Sequence, residues 1–201
     1  MTDKPIIILA SQSERRREIL EKFSIKFDVV VPTDEEISPD GNLTPEKFVH
    51  VNSLRKCESV AAKFMKNIEN AIIIACDTIA AYNNKIIGKP DSIGDAKRIL
   101  QMLSGTKHQV ISGITVIKTP ENKRFTTVDI TQINMLSMTD EEIDAYVNSG
   151  EAFGKAGAYA IQETGDRFVK ITQGSFYNVV GLPIEKLLKI LKTFGIFVEH
   201  Q

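Results

Sequence analysis

Apolar residues along this chain change rhythm several times, and each change marks an element. Residues 6–10 form an unbroken apolar run, followed by Ser11-Gln12-Ser13-Glu14-Arg15-Arg16-Arg17 and then by Ile19, Leu20 and Phe23 at helical spacing. A strand, a hydroxyl-bearing turn and an amphipathic helix are the prediction. Residues 27–31 read as a further strand, and the stretch 32–45, rich in Pro, Asp, Glu and Asn, as an exposed loop. A helix is expected from Thr44-Pro45 to about residue 64, with Phe48, Val49, Val60, Ala61 and Phe64 on its apolar side.

The run 71–76 has the length and continuous apolar character of a strand buried on both faces, and it is expected to stop at Asp77-Thr78. Residues 79–82 and 85–87 predict a hairpin across Asn83-Asn84, residues that tolerate positive φ. Ile93, Ala96, Ile99, Leu100 and Leu103 predict a helix from Asp91 or Ser92 to a glycine stop at Ser104-Gly105. Two long strands, about 109–118 and 124–135, follow. In the second, the apolar phase changes between Ile130 and Ile133, which implies a bulge or bend. Thr139 and Glu142 make a capping box for a helix ending at Ser149-Gly150. After a Gly- and Ala-rich loop, a strand over 168–171, a glycine-bearing polar stretch over 174–183 that reads as turns, and a helix from Pro183 to Gly195 complete a mixed α/β pattern.

Composition narrows the class without changing this outline. At 201 residues, 42% hydrophobic and 25% charged, the chain reads as one ordinary globular domain over 1–201. A net charge of -1 argues against coating a nucleic acid polymer or an anionic membrane. No apolar run reaches the ~18 residues of a membrane span, and Asp3 and Pro5 precede only a short one. A cytoplasmic protein is the expectation. Cys57 and Cys76 lack metal-like spacing and sit in apolar surroundings, as reduced core cysteines do.

Polar residues that interrupt good patterning are the candidates for chemistry. A helix N-terminus carries partial positive charge, so Arg15, Arg16 and Arg17 at a first turn are misplaced by a few tenths of a kcal/mol each. An anion would repair that, and the loop therefore reads as a phosphate cradle. Asp77 stands where a carboxylate can hold a hard divalent ion or orient a water, although Asp77-Thr78 can also be a plain turn. Lys89, fixed between Gly88 and Pro90, can aim an ammonium at phosphate or lie in solvent. Glu35 and Glu36 are metal candidates or simple surface acids. The stretch 154–162 combines small residues, which allow close approach to a ligand, with Lys155 and Gln162; it is equally a tight packing corner. There is no P-loop, no dinucleotide fingerprint and no G-x-S-x-G elbow, and His50, His108 and His200 are scattered. Acids, cations and hydroxyls remain, and together they point to phosphate chemistry with Mg²⁺ or Mn²⁺.

Six segments in order carry a resemblance. They are Ile8-Leu9-Ala10-Ser11-Gln12-Ser13-Glu14-Arg15-Arg16, Cys76-Asp77-Thr78-Ile79, Gly88-Lys89-Pro90, Leu103-Ser104-Gly105-Thr106, Lys155 through Gln162, and Asn178-Val179-Val180-Gly181-Leu182-Pro183. The chain resembles the Maf family of nucleotide pyrophosphatases over nearly its whole length. That resemblance implies the inosine triphosphate pyrophosphatase-like fold, a mixed, bent sheet flanked by helices with a cleft between two lobes. It also implies hydrolysis of a nucleoside triphosphate to monophosphate and pyrophosphate. Thr78 and Ile161-Gln162 resemble the group that prefers dTTP and UTP; the alternatives are the 7-methyl-GTP group and a nucleotide-binding regulator of division.

By position, the resemblance makes Ser11, Arg15, Lys56, Thr78, Gln162 and Lys155 substrate contacts. Asp77, Glu36 and Lys89 become the catalytic set, with Asp77 and Glu36 as ligands of Mg²⁺ or Mn²⁺. A homodimer is a further possibility among relatives. Three positions depart from the family pattern. Glu14 replaces a proline, so the opening turn loses a fixed φ and gains an acid. Gly154 replaces an aspartate, and Val51 replaces an arginine.

Overall fold

The computed structural model describes residues 4–33, 37, 42–67, 69–161 and 163–198. The segment containing Glu35 and Glu36, and Gln162, lie outside the described residues. In chain order the elements are β1 (Ile6–Leu9), α1 (Glu14–Lys22), β2 (Asp28–Val29), α2 (Pro45–Lys66), β3 (Ala71–Tyr82) and β4 (Lys85–Ile87). Then come α3 (Ile93–Leu103), β5 (Lys107–Thr119), β6 (Lys123–Met135), α4 (Asp140–Asn148), β7 (Val169–Gln173), α5 (Phe176–Val180) and α6 (Ile184–Thr193). Among the described residues, the seven strands form one sheet in the order β2-β1-β3-β5-β6-β7, with β4 also beside β3. β1 pairs in parallel with β2 and β3, and the other pairings are antiparallel. The sheet is therefore mixed, as the element pattern predicts.

Local chemistry accounts for most boundaries. The side chain of Thr44 accepts from Lys47 N at the start of α2, with Pro45 in the first turn. Ser92 caps α3 in the same way, and both halves of the Thr139–Glu142 capping box are present at α4. Asn83 and Asn84 take positive φ (50° and 60°) between β3 and β4, as the hairpin requires. The expected bulge in β6 is a register shift at Gln132/Ile133 in its pairing with β7. Cys57 and Cys76 are free and fully buried, and burial pushes both thiols up.

Three expectations are corrected. The strand beginning at residue 71 does not stop at Asp77-Thr78 but continues to Tyr82, because β5 pairs with it from Ala71 to Ala81 without a break. Polar residues are tolerated inside it because a long partner holds the ladder. The strand expected over 27–31 shrinks to two residues at the sheet edge, where β1 is its one neighbour. Finally, residues 176–180 form the short helix α5, capped by Ser175, which accepts from Asn178 N, where loop was expected.

The continuation of β3 positions the site. β1 covers the β3 edge only along Ala71–Ile74, and β4 covers it again only from Ala80. Between them the edge of β3 is open. α2 packs on one face of the sheet, where Cys57, Val60 and Ala61 meet Ile73 and Ala75. On the other face, Ile72, Ile74 and Cys76 meet α1 and α6, while Ala80 meets α3 and α4. Successive β3 residues thus look toward different helices.

Candidate active site

A cleft of about 960 Å³ opens where β3 is uncovered between β1 and β4. Its lining includes Ser11, Arg15, Lys56, Asp77, Thr78, Lys89 and Lys155, so every described residue in the sequence-derived set reaches one cavity. Glu14, Glu18 and Asp91 line it as well. Three elements and three loops far apart in sequence supply these groups.

On the α2 side, Asp77 is buried (6% exposed), with Lys56 Nζ 2.5 Å from its Oδ1. Asn52, one helical turn before Lys56, donates through Nδ2 to the other oxygen at 3.4 Å, and its Oδ1 accepts Ile37 N at 3.0 Å. α2 can reach so far because Asp77 pairs with Gly113 of β5. A Cβ at Gly113 would lie 2.2 Å from the Val49 carbonyl oxygen, so the glycine lets the helix backbone press onto the sheet at that point. Sequence reasoning identified Lys56 and missed Asn52. The available signal was a polar residue four positions before Lys56 on the same helical face.

On the opposite face, Thr78 Oγ1 lies 2.8 Å from Ser112 Oγ and donates to Gly181 O at 3.2 Å. Arg16 completes this arrangement. Its Nε donates to Gly181 O (2.8 Å), and Nη1 donates to Cys76 O (2.7 Å) and Ser11 Oγ (3.1 Å). Nη2 donates to Thr78 Oγ1 at 3.3 Å. The Cys76 carbonyl belongs to the edge of β3 that β1 leaves uncovered, and the guanidinium takes the place of a neighbouring strand. Arg17 meanwhile pairs with Glu14 at 3.5 Å. Protein groups therefore engage Arg16 and Arg17, two of the three arginines that motivated the phosphate cradle, and Arg15 lines the cleft. The departure Glu14 is accounted for in the same way: an acid in the first turn of α1 suits the helix dipole.

Ser11 is buried, and its hydroxyl oxygen accepts from Ser13 N at 3.1 Å as well as from Arg16. Its one proton remains to be donated. Lys89 is exposed immediately beyond β4, and Lys155 donates to Glu151 O at 2.5 Å. Gly157 N donates to Gly88 O (3.0 Å), which docks the Gly- and Ala-rich loop against the end of the hairpin and brings the two lysine-bearing loops together. Gly157 takes φ 76°, and a Cβ there would meet the Tyr159 ring at 2.9 Å. The small residues of this loop thus serve close packing as well as the cleft.

Whether a divalent ion suits this site turns on Asp77. Each of its oxygens already has one donor, and an ionised carboxylate offers about four lone-pair directions, so part of its coordinating capacity is left. A single protein carboxylate is adequate for Mg²⁺ or Mn²⁺ when phosphate oxygens and waters complete the shell. Among the described residues, no three His, Cys, Asp or Glu side chains come together. An ion at Asp77 would take its further ligands from phosphate oxygens, waters or carboxylates outside the described residues. No helix among the described residues is long and apolar enough to cross a membrane.

The family described as Maf-like protein matches residues 6–194. A protein of Bacillus cereus named dTTP/UTP pyrophosphatase is 42% identical over 194 residues, covering 96% of this chain and 98% of its own. One of the same name from Bacillus anthracis is 41% identical over the same shares. A solved nucleoside-triphosphatase / dITP/XTP pyrophosphatase from Mycobacterium abscessus overlaps 94% of this chain and 96% of its own, at 14% identity and a TM-score of 0.48.

Proposed function

Because this chain belongs to the Maf-like protein family, we propose that it hydrolyses dTTP, UTP and related pyrimidine nucleoside triphosphates to monophosphate and pyrophosphate. The observation that carries the reading is one buried carboxylate, Asp77, held by Lys56 and facing a cleft that Arg15, Lys89 and Lys155 supply with positive charge. Such a cleft suits a polyanion, and the carboxylate suits a water.

In this mechanism Asp77 orients a water, and its carboxylate takes the proton as the water oxygen bonds to the α-phosphorus. The bond from that phosphorus to the bridging oxygen breaks, and the electron pair leaves with pyrophosphate. Arg15, Lys89 and Lys155 bind the triphosphate and stabilise the charge that gathers on the leaving group. Lys56 keeps the Asp77 carboxylate in place and adds a positive charge beside the reacting phosphate. Ser11 donates its hydroxyl proton to a phosphate oxygen, while Thr78 and Gln162 contact the nucleoside. Asp77 and Glu36 would hold a divalent ion, Mg²⁺ or Mn²⁺, which would neutralise phosphate charge.

A panel of dTTP, UTP, CTP, GTP and 7-methyl-GTP with Mg²⁺ or Mn²⁺, assayed separately for pyrophosphate and orthophosphate, tests the proposal. The expected result is pyrophosphate and a monophosphate, fastest from dTTP and UTP. Orthophosphate with a nucleoside diphosphate would overturn the α-phosphorus mechanism. Preference for 7-methyl-GTP would overturn the pyrimidine assignment.

A further inference from the structure

Phe153 stands out among the cleft residues because it is a large apolar side chain, 39% exposed, at the mouth of a cavity lined with charges. A single exposed apolar side chain is ordinary on a protein surface; what sets this ring apart is its position in the cleft. The loop that carries it is held firmly. Phe153 N donates to Gly150 O at 3.3 Å, the preceding Ala152 is fully buried against the α3–α4 core, and Lys155 closes the loop by donating to Glu151 O. Gly150 and Gly154 flank the ring at φ 84° and 71°. The Cβ position of Gly154 has no heavy atom within 4 Å beyond its chain neighbours, so the loop is uncrowded at that residue.

Placement along the cleft adds a direction. The Gly- and Ala-rich loop following Phe153 packs on Ala80 through Gly157, on the same face of β3 as Thr78. Asp77 points to the other face, toward α2. A triphosphate whose reacting phosphorus lies at Asp77 leaves its nucleoside to be received on the Thr78 side. A flat, π-faced platform is what a nucleobase takes there, and aromatic stacking is tolerant of base identity because every base has a π-face.

We propose that Phe153 is the stacking platform for the nucleobase of the substrate, a binding residue that contributes affinity for the nucleoside and none for the phosphate chain. The proposal rests on the nucleotide reading of the cleft. It separates two functions within one cavity: lysines and Arg15 hold phosphate, and the ring of Phe153 holds the base.

The chain has no tryptophan, so Phe153→Trp creates a protein with a single indole at the proposed contact. Titration with dTTP, UTP and inorganic tripolyphosphate, read by fluorescence, is expected to quench the indole with either nucleotide and leave it unchanged with tripolyphosphate. Phe153→Ala should weaken dTTP binding in calorimetry and raise KM by roughly tenfold or more, with kcat and tripolyphosphate affinity held. The residue is exposed and its backbone is fixed by its neighbours, so both variants should melt with the parent. An alanine variant that binds dTTP as tightly as the parent, or an indole that tripolyphosphate quenches as strongly as dTTP, would overturn the proposal. Failure of the parent to bind any nucleotide would instead bring down the nucleotide reading, and this inference with it.

Discussion

Asp77 and Thr78 are consecutive residues, yet they stand in two unlike regions of the molecule. On the α2 face of β3, the Asp77 carboxylate is buried against an ammonium and an amide, Lys56 and Asn52. On the opposite face, Thr78 joins a network of Ser112, the Gly181 carbonyl and the guanidinium of Arg16, and here Arg16 has carbonyl and hydroxyl oxygens as acceptors. The first region keeps an ion pair at the cleft and is suited to chemistry. The second spends its cation on carbonyls that would otherwise be unpaired at a sheet edge and is suited to holding shape. A basic residue beside a cleft is therefore not by itself a ligand residue; the acceptors around it decide.

The largest expected effect attacks the chemical side. Asp77→Asn should lower kcat by about 10³-fold or more, with dTTP binding in calorimetry close to that of the parent. Near-parent activity would erase the distinction between the two faces. Next comes the architectural side. Arg16→Met removes charged hydrogen bonds to Cys76 O and Gly181 O and should cost about 3 kcal/mol of stability in urea unfolding. A change below about 0.5 kcal/mol would show that solvent can replace the guanidinium at the β3 edge.

A third prediction sharpens the comparison through pH. His108 is on the same face of the sheet as the paired Thr78 and Ser112, four strand positions along the ladder, with its Nε2 2.7 Å from the Tyr159 hydroxyl. Burial pushes its pKa down from 6.5 to about 4, so it is neutral where the unfolded chain's histidine would be half charged. The stability contributed by this neutral form is fully present above about pH 6.5 and is lost as pH falls toward 4. The loss should reach about 2 kcal/mol by pH 5. Urea midpoints at pH 7, 6 and 5 should therefore fall more steeply for the parent than for His108→Gln, and parallel curves would contradict the neutral histidine. The smallest effect concerns Glu14. Glu14→Pro should leave stability within about 0.5 kcal/mol, since an exposed pair with Arg17 is exchanged for a preset φ. Removal of one acid from the cleft rim should lower the nucleotide KM by about twofold, measured in the pyrophosphate assay.

Much of the fold was legible because its signals are local. Thr44-Pro45, Ser92 and the Thr139–Glu142 box each cap a helix with groups a few residues away, and Asn83-Asn84 selects its own turn. The phase change that announced the bulge at Gln132/Ile133 is local too. The continuation of β3 through Asp77 and Thr78 was not legible, because it depends on β5, a strand more than thirty residues away in the chain. Asn52 escaped notice for a similar reason: nothing within α2 reveals that a glycine at position 113 lets the helix descend onto a carboxylate.

The site divides along the same line. Residue types pointed to Ser11, Arg15, Asp77, Lys89 and Lys155, because phosphate chemistry needs cations, a carboxylate and hydroxyls whatever the fold, and the family resemblance added Lys56. Sequence by itself also determined the caps, the turns and the apolar faces, all of which act within a few residues. Which arginine closes the sheet edge, which helix faces Asp77 and where that edge opens were decided only in the tertiary structure. The physical reason is that unpaired carbonyls at a β3 edge, and the guanidinium that satisfies them, are brought within hydrogen-bond distance by packing between segments distant along the chain.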